Sequence, residues 1–138
     1  MHEYYEAEQI HQADGGIVTM GCDPLRDLLA EILTRVPAST VDSVFEKCIY
    51  LMPQLRERGC FIPNRVISGK HIILFPEELL SWPKDEQIYV VLHETAHYVL
   101  KHKSPLEDRN LDYQRQEREA DAMVDKWFVA WSKGAKVE

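Results

Sequence analysis

The sequence lacks a disulfide framework, a long apolar run and an excess of basic charge. Its three cysteines, Cys22, Cys48 and Cys60, are odd in number and widely spaced, so they predict reduced thiols rather than disulfides or a zinc ribbon. No apolar run approaches the ~20 residues that a membrane helix needs, and the first residues show no signal-peptide pattern. These absences predict a cytoplasmic protein with no membrane partner.

The charge balance is acidic, with a formal net charge of -7. Phosphate binding needs a basic face, so this balance argues against nucleic acid as a partner. Apolar residues make up 45% of the chain and charged residues 28%, the composition of an ordinary globular protein. The length of 138 residues fits one domain. We therefore expect a single domain over residues 1–138, with residues 1–22 as a polar tail or a loosely docked lead-in.

The hydrophobic pattern predicts two helices, then short strands, then two more helices. Apolar residues recur at helical spacing from Leu25 to Val36 and again from Val41 to Cys48. Strand-like fragments follow, and the run from His71 to Phe75 is the strongest of them. Residues 85–102 and 112–131 predict two long helices. This order predicts an α+β fold with a small, mainly antiparallel sheet.

An HExxH motif, His93-Glu94-Thr95-Ala96-His97, lies in the third predicted helix. Residues four apart lie about 40° apart around a helix, so both imidazoles can reach one ion, and zinc is the ion usually held in this way. Glu94 lies about 100° from His93, beside the ion rather than bound to it, which is the position of a general base. The alternative is an amphipathic helix with two surface histidines.

A third metal ligand is available twenty residues later, in Glu117-Arg-Glu-Ala-Asp121. Glu117 completes a set of two histidines and one glutamate, the catalytic arrangement for Zn²⁺ with one open position. Asp121 shares a helix face with Glu117 and can accept a hydrogen bond from a ligand histidine. Glu119 is the rival third ligand, although it has no aspartate four residues later. The alternative is a solvated acidic helix face.

The two motifs together resemble those of the gluzincin metallopeptidases, which pair HExxH with a later Glu-x-x-x-Asp. The Glu-x-x-Ala-Asp form is most similar to the small ImmA/IrrE-like and CAAX-endopeptidase-like members, over about residues 60–131. The resemblance implies a zincin-like fold, with an active-site helix and a C-terminal helix that carries the third ligand. It also implies that the strand from His71 to Phe75 is an edge strand that pairs with an extended substrate. The alternative is an interior strand that is paired on both sides and belongs only to the core.

These observations predict a zinc-dependent intracellular endopeptidase that cuts an extended segment of a peptide or protein, with Glu94 as the catalytic base. The competing hypothesis is a catalytically silent binding or regulatory module of the same fold. Peptide hydrolysis also calls for a group that stabilises the oxyanion. Tyr113 and Arg115 are candidates, with ordinary helix-start roles as the alternative. His102 lies about 140° from His97 on a continuous helix and is therefore a poor ligand.

Overall fold

A computed structural model describes residues 3–14, 19, 22–52, 66–67, 70–102 and 112–135. The α-helices are α1 (Ala7–Asp14), α2 (Asp23–Ile32), α3 (Ala38–Lys47), α4 (Lys84–Val99) and α5 (Tyr113–Ala135). The strands are β1 (Cys48–Leu51), β2 (Val66–Ile67) and β3 (Lys70–Leu74), and short 3₁₀ helices cover Leu33–Arg35 and Glu77–Ser81. The predicted mixture of helix and strand is confirmed, and the described chain is mostly helical.

The sheet differs from the expected one, because its main pairing is parallel. β1 pairs with β3 in parallel over four residue pairs, from Cys48 opposite His71 to Leu51 opposite Leu74. β2 pairs antiparallel with β3 over two pairs only. The prediction of a mainly antiparallel sheet was therefore wrong. It assumed that strands close in sequence pair through tight turns, whereas the chain between β1 and β3 is long enough for a parallel crossover.

β3 is the central strand of the described sheet, in the order β1-β3-β2. His71 pairs with Cys48 on one side and with Val66 on the other. At Lys70 and His71 the prediction of a free edge was therefore wrong, because residues paired on both sides have no free N–H and C=O groups to offer an extended substrate. The described pairs with β2 end at His71, so for Ile72 to Leu74 the free edge stays a prediction. The neighbouring fragment Cys60 to Pro63 lies outside the described residues.

The N-terminal segment contains a packed helix that the hydrophobic pattern did not reveal. Within the predicted lead-in, α1 lies against α2, and the side chain of Ile10 is buried between them. Just before α1, Tyr4 forms a β-bridge with Pro37, and the Ala38 amide donates to the Glu3 carbonyl at 2.7 Å. One large apolar residue, Ile10, in a helix of eight is too weak a signal for sequence periodicity, yet it suffices once α2 supplies the opposing face.

One cluster of buried side chains joins residues from all five helices and from β1 and β3. α4 contributes its apolar face to this core, and the Tyr50 hydroxyl on β1 lies 2.7 Å from Thr95 Oγ1. Thr95 in turn donates to the Val91 carbonyl, so the tyrosine is the donor of the pair. The sheet thereby holds α4 in place from its buried side. None of the helices in the described residues is both long and apolar enough to cross a membrane.

Candidate metal centre

Helix α4 carries His93, Glu94 and His97 on the side that faces α5 rather than the sheet. The flanking positions Leu92 and Ala96 are fully buried in the core, which fixes the rotation of the helix. The side chain of His93 is consequently only 8% exposed, whereas that of His97 is 20% exposed. The motif therefore lies at the boundary between core and solvent.

Helix α5 is fixed by a cap and by a buried stripe. The Asp112 carboxylate accepts a hydrogen bond from the Arg115 amide at 3.0 Å, so Asp112 caps the N-terminus of the helix. The buried positions of α5 recur every three or four residues, and they are Gln116, Ala120, Val124 and Trp127. This spacing defines one helix face that packs inward. Glu117 borders the stripe, so its side chain extends toward α4 at the edge of the core.

Three side chains from the two helices converge at this boundary. The Nε2 atoms of His93 and His97 lie 3.0 Å apart. One oxygen of Glu117 lies 2.9 Å from His93 Nε2, and the other lies 3.0 Å from His97 Nε2. We call this set of His93, His97 and Glu117 the metal centre. The Glu117 side chain is 41% exposed, so the centre opens to solvent on the α5 side.

The second ring nitrogen of His93 is held by two partners. His93 Nδ1 lies 3.0 Å from an Asp121 oxygen and 3.2 Å from the Tyr89 hydroxyl, and the hydroxyl also donates to Asp121. An ionised carboxylate accepts only, so when the ring proton of neutral His93 is on Nδ1 it is donated to Asp121. This leaves the Nε2 lone pair directed at the centre. Asp121 thus occupies the supporting position predicted for it.

The second ring nitrogen of His97 has a different partner. His97 Nδ1 lies 2.8 Å from Nδ1 of His102, and His102 Nε2 lies 3.2 Å from a Glu119 oxygen. Burial and the neighbouring His93 lower the pKa of His97, while Glu117 acts in the opposite direction. A lowered pKa favours the neutral imidazole, which is the form that binds a metal ion.

Glu94 lies beside the metal centre. One of its carboxylate oxygens and the ring nitrogens of His93 and His97 are all within 4.8 Å of one another. Burial raises the pKa of the Glu94 carboxyl, His93 partly offsets this, and Glu117 adds to it. A carboxylate with a raised pKa is a stronger base than an exposed one, as general-base catalysis near neutral pH requires.

The structure brings together all four residues predicted for the site, and it separates the weaker candidates from them. Glu119, the rival ligand, contacts His102 instead of the metal centre. The guanidinium of Arg115 lies 3.8 Å from Glu119, at the far side of that pair. Tyr113 begins α5, and its side chain lies outside the described part of the chain.

Sequence reasoning missed two residues that contact the site. Tyr89 precedes His93 by four residues, so the helical spacing that linked the histidines could have revealed it. His102 was placed away from the site because the helix was expected to continue through it, whereas α4 ends at Val99. A helix end of this kind is usually marked in the sequence by a glycine in the left-handed conformation. Here Lys101 takes that position, with φ 59°, so no glycine signals the helix end in the sequence.

Comparison with known proteins adds no assignment to these observations. No family model, curated protein or solved structure matches the chain.

Proposed function

We propose that this chain is a zinc-dependent metallopeptidase of the gluzincin type, in which His93, His97 and Glu117 hold the metal and Glu94 is the catalytic base. One observation carries the proposal. Two imidazole nitrogens and a carboxylate, from two different helices, meet within 3.0 Å of one another beside the half-buried Glu94. An acidic helix face exposed to water would not place its carboxylate between two imidazoles.

The chemistry of these donors fits zinc. Two ligands at about 2.0–2.1 Å from a tetrahedral zinc ion lie roughly 3.3 Å apart, close to the separations of 2.9–3.0 Å among these atoms. In the tautomer with its proton on Nδ1, the form that binds a metal through Nε2, His93 directs a lone pair at the carboxylate of Glu117. Two electron-rich atoms at such a distance repel each other unless a cation or a proton lies between them. Two histidines and one glutamate are also a zinc donor set found in catalytic sites.

The residues around the centre supply the rest of a peptide hydrolysis mechanism. Zinc, when bound there, would lower the pKa of a water molecule and polarise the scissile carbonyl group. The Glu94 carboxylate accepts the proton of the attacking water as the oxygen bonds to the carbonyl carbon. Glu94 then returns that proton to the amide nitrogen as the C–N bond breaks, so the base is regenerated. Asp121 and Tyr89 keep the His93 ring oriented throughout.

Access to the centre favours a segment that lies on the surface over a small molecule in a closed cavity. Glu117 and Asp121 are half exposed on the α5 side, while the opposite side of the centre is the core. A peptide can therefore approach from solvent in an extended form. The substrate class we propose is a flexible segment of a protein, because a folded surface would not bring its backbone within reach of Glu94.

Metal content tests the site directly. Protein made without a histidine tag should contain about one zinc per chain by elemental analysis, because the donor set is complete for zinc. His97→Ala and Glu117→Ala should each lose it. His11→Ala is the matched control, since His11 lies on α1 and pairs with Asp27 away from the centre. A wild-type protein with no stoichiometric zinc, or His97→Ala protein with full zinc, would contradict the proposal.

Hydrolysis is tested separately, with a mixture of unstructured peptides and mass-spectrometric detection of new termini. We expect cleavage by the zinc-loaded protein, loss after chelation, and recovery when zinc is restored. Zinc binding without new termini in any peptide would instead support the silent binding module. The two measurements thus separate the metal site from the catalytic activity.

A further inference from the structure

The turn that ends α4 folds the chain back onto the metal centre. The Lys101 amide donates to the Tyr98 carbonyl, and the His102 amide donates to the His97 carbonyl at 3.0 Å. This is the Schellman pattern of helix ends, with Lys101 in the left-handed conformation that usually selects glycine. Because the turn reverses the chain, His102 lies beside His97 rather than 140° away from it. Its side chain is only 8% exposed.

The ring contacts of His102 allow only one arrangement of protons when His97 binds a metal. A carboxylate accepts, so the proton facing Glu119 is on His102 Nε2. Neutral His102 then has a lone pair on Nδ1, which lies 2.8 Å from His97 Nδ1. His97 must therefore donate from Nδ1, and its Nε2 lone pair faces His93 and Glu117. The chain from Glu119 through His102 to His97 is thus a continuous series of hydrogen bonds.

We propose that His102 and Glu119 are positioning residues that fix the tautomer and the ring orientation of His97 for the metal. The inference rests on the proposed metal site, and it gives His97 the kind of support that Asp121 gives His93. Neither residue touches the metal, so Glu119 is not the third ligand. Outer partners of this kind typically change metal affinity or activity 10–100-fold when they are removed.

The two supports differ in construction. Asp121 acts directly on His93 from α5, whereas Glu119 acts on His97 through an intervening ring from the turn after α4. The turn holds Lys101 in the left-handed conformation, which is unfavourable for a non-glycine residue. A helix end held in an unfavourable conformation next to a functional residue suggests that the position of His102 is needed. The buried imidazole supplies the acceptor that a solvent-exposed His97 would obtain from water.

Matched substitutions of His102 distinguish a role as hydrogen-bond acceptor from a role in side-chain packing alone. Asparagine and leucine have the same shape, but only His102→Asn keeps an acceptor atom at the position of Nδ1. We expect His102→Leu to bind zinc 10–100-fold more weakly than wild type in competition with a chromophoric chelator. His102→Asn should recover most of that loss. Glu119→Ala should weaken zinc binding less than His102→Leu, because His102 can then donate to water.

A spectroscopic measurement gives a second readout that does not depend on activity. In zinc-loaded wild-type protein, a ¹⁵N-correlated signal of the His97 Nδ1 proton should be protected from exchange with water. We expect this signal in His102→Asn and not in His102→Leu. His11→Leu is the control, because it removes an imidazole that pairs with a carboxylate at 2.9 Å outside the site. It should leave zinc affinity unchanged. The circular dichroism spectrum of each variant, recorded under the conditions of its zinc titration, verifies that the variant is folded.

The outcomes are distinguishable. Equal zinc affinities in His102→Leu and wild type, together with loss of zinc in His97→Ala, would overturn the positioning role and leave the metal site intact. Equal weakening by leucine and asparagine would also overturn it, since packing alone would then explain the effect. Wild-type protein that fails to bind zinc would remove the metal site and the positioning role together, and the wild-type titration alone reveals that case.

Discussion

The two faces of helix α4 perform different tasks although their residues alternate in sequence. On the core face Leu92 and Ala96 are fully buried, and the hydroxyl of Thr95 is bound by Tyr50. On the other face His93 and His97 have polar partners on both ring nitrogens. Apolar contacts are non-directional and fix where the helix lies, whereas hydrogen bonds fix how each ring is turned.

This contrast implies that substitutions on the two faces should have different effects, one on stability and the other on zinc binding or hydrolysis. A substitution on the core face should lower the free energy of unfolding and leave zinc affinity of the folded protein almost unchanged. A substitution on the site face should reduce zinc binding or hydrolysis with little loss of stability.

The largest effect is expected for Glu94→Gln, which keeps the shape of the side chain but removes the base. Hydrolysis of an established peptide should fall about 10²–10⁴-fold, while zinc content and melting temperature stay at wild-type values. Glu86→Gln is the matched control, because Glu86 is exposed on the first turn of the same helix. Turnover that is unchanged in Glu94→Gln would remove this residue from the mechanism.

The next largest effect belongs to the core face. Leu92→Ala leaves a cavity at a fully buried position and should lower the free energy of unfolding by about 2–5 kcal/mol in urea titrations. Zinc affinity, measured where the variant is still folded, should remain within a few-fold of wild type. Leu80→Ala, at an exposed position of the 3₁₀ helix before α4, should change stability by less than ~0.5 kcal/mol. A large loss of zinc affinity in Leu92→Ala would show that the two faces are coupled.

Asp121→Asn tests the support of His93 from α5. The amide can still accept a hydrogen bond but without charge, so zinc affinity should fall about 10–100-fold. Asp125→Asn makes the same change one turn later on α5, at an exposed residue, and should leave zinc affinity unaltered. Chelator competition with both variants gives the comparison. Equal affinities in the two variants would mean that the contact of Asp121 with His93 has no influence on the metal.

A smaller effect is expected where the sheet contacts α4. Tyr50→Phe removes the buried donor to Thr95, and the free energy of unfolding should fall by about 0.5–1.5 kcal/mol. Tyr5→Phe removes a hydrogen bond to Asp42 that is exposed, and its cost should be smaller. Both variants should keep wild-type zinc affinity. A larger loss in Tyr5→Phe than in Tyr50→Phe would be inconsistent with the anchoring role of Tyr50.

The smallest predicted effect is a loss of stability at alkaline pH due to Cys48. Burial raises the pKa of this thiol to about 12 from 9.0, so the unfolded chain loses the proton first as the pH rises. The contribution is complete below pH 9 and declines between pH 9 and 12. From pH 8.5 to 9.5 the loss should be about 0.7 kcal/mol by linkage. The free energy of unfolding is measured by urea titration at both pH values for wild type and for Cys48→Ala. The loss between the two pH values should be larger in wild type by this amount, and an equal loss in both proteins would contradict the prediction.

The site could be predicted from the sequence because its information is local. Helical geometry alone places His93 and His97 on one face, and the same spacing links Glu117 to Asp121 on another helix. The supporting contacts at His102 could not be predicted, because they depend on the chain turning back after Val99. The central position of β3 was equally hidden. Strand pairing joins segments far apart in sequence, and residue pattern does not specify which strands become neighbours.

The sequence by itself determined the types of the candidate metal donors, their helical spacing and the position of Glu94 between the two histidines. It also determined an acidic chain of mixed helix and strand. Only the tertiary structure decided that α5 lies across α4 so that Glu117, rather than Glu119, meets both imidazoles. The physical reason is that burial of Ala120 and Trp127 fixes the rotation of α5 about its own axis. That rotation, set by apolar contacts away from the site, selects which carboxylate reaches the metal centre.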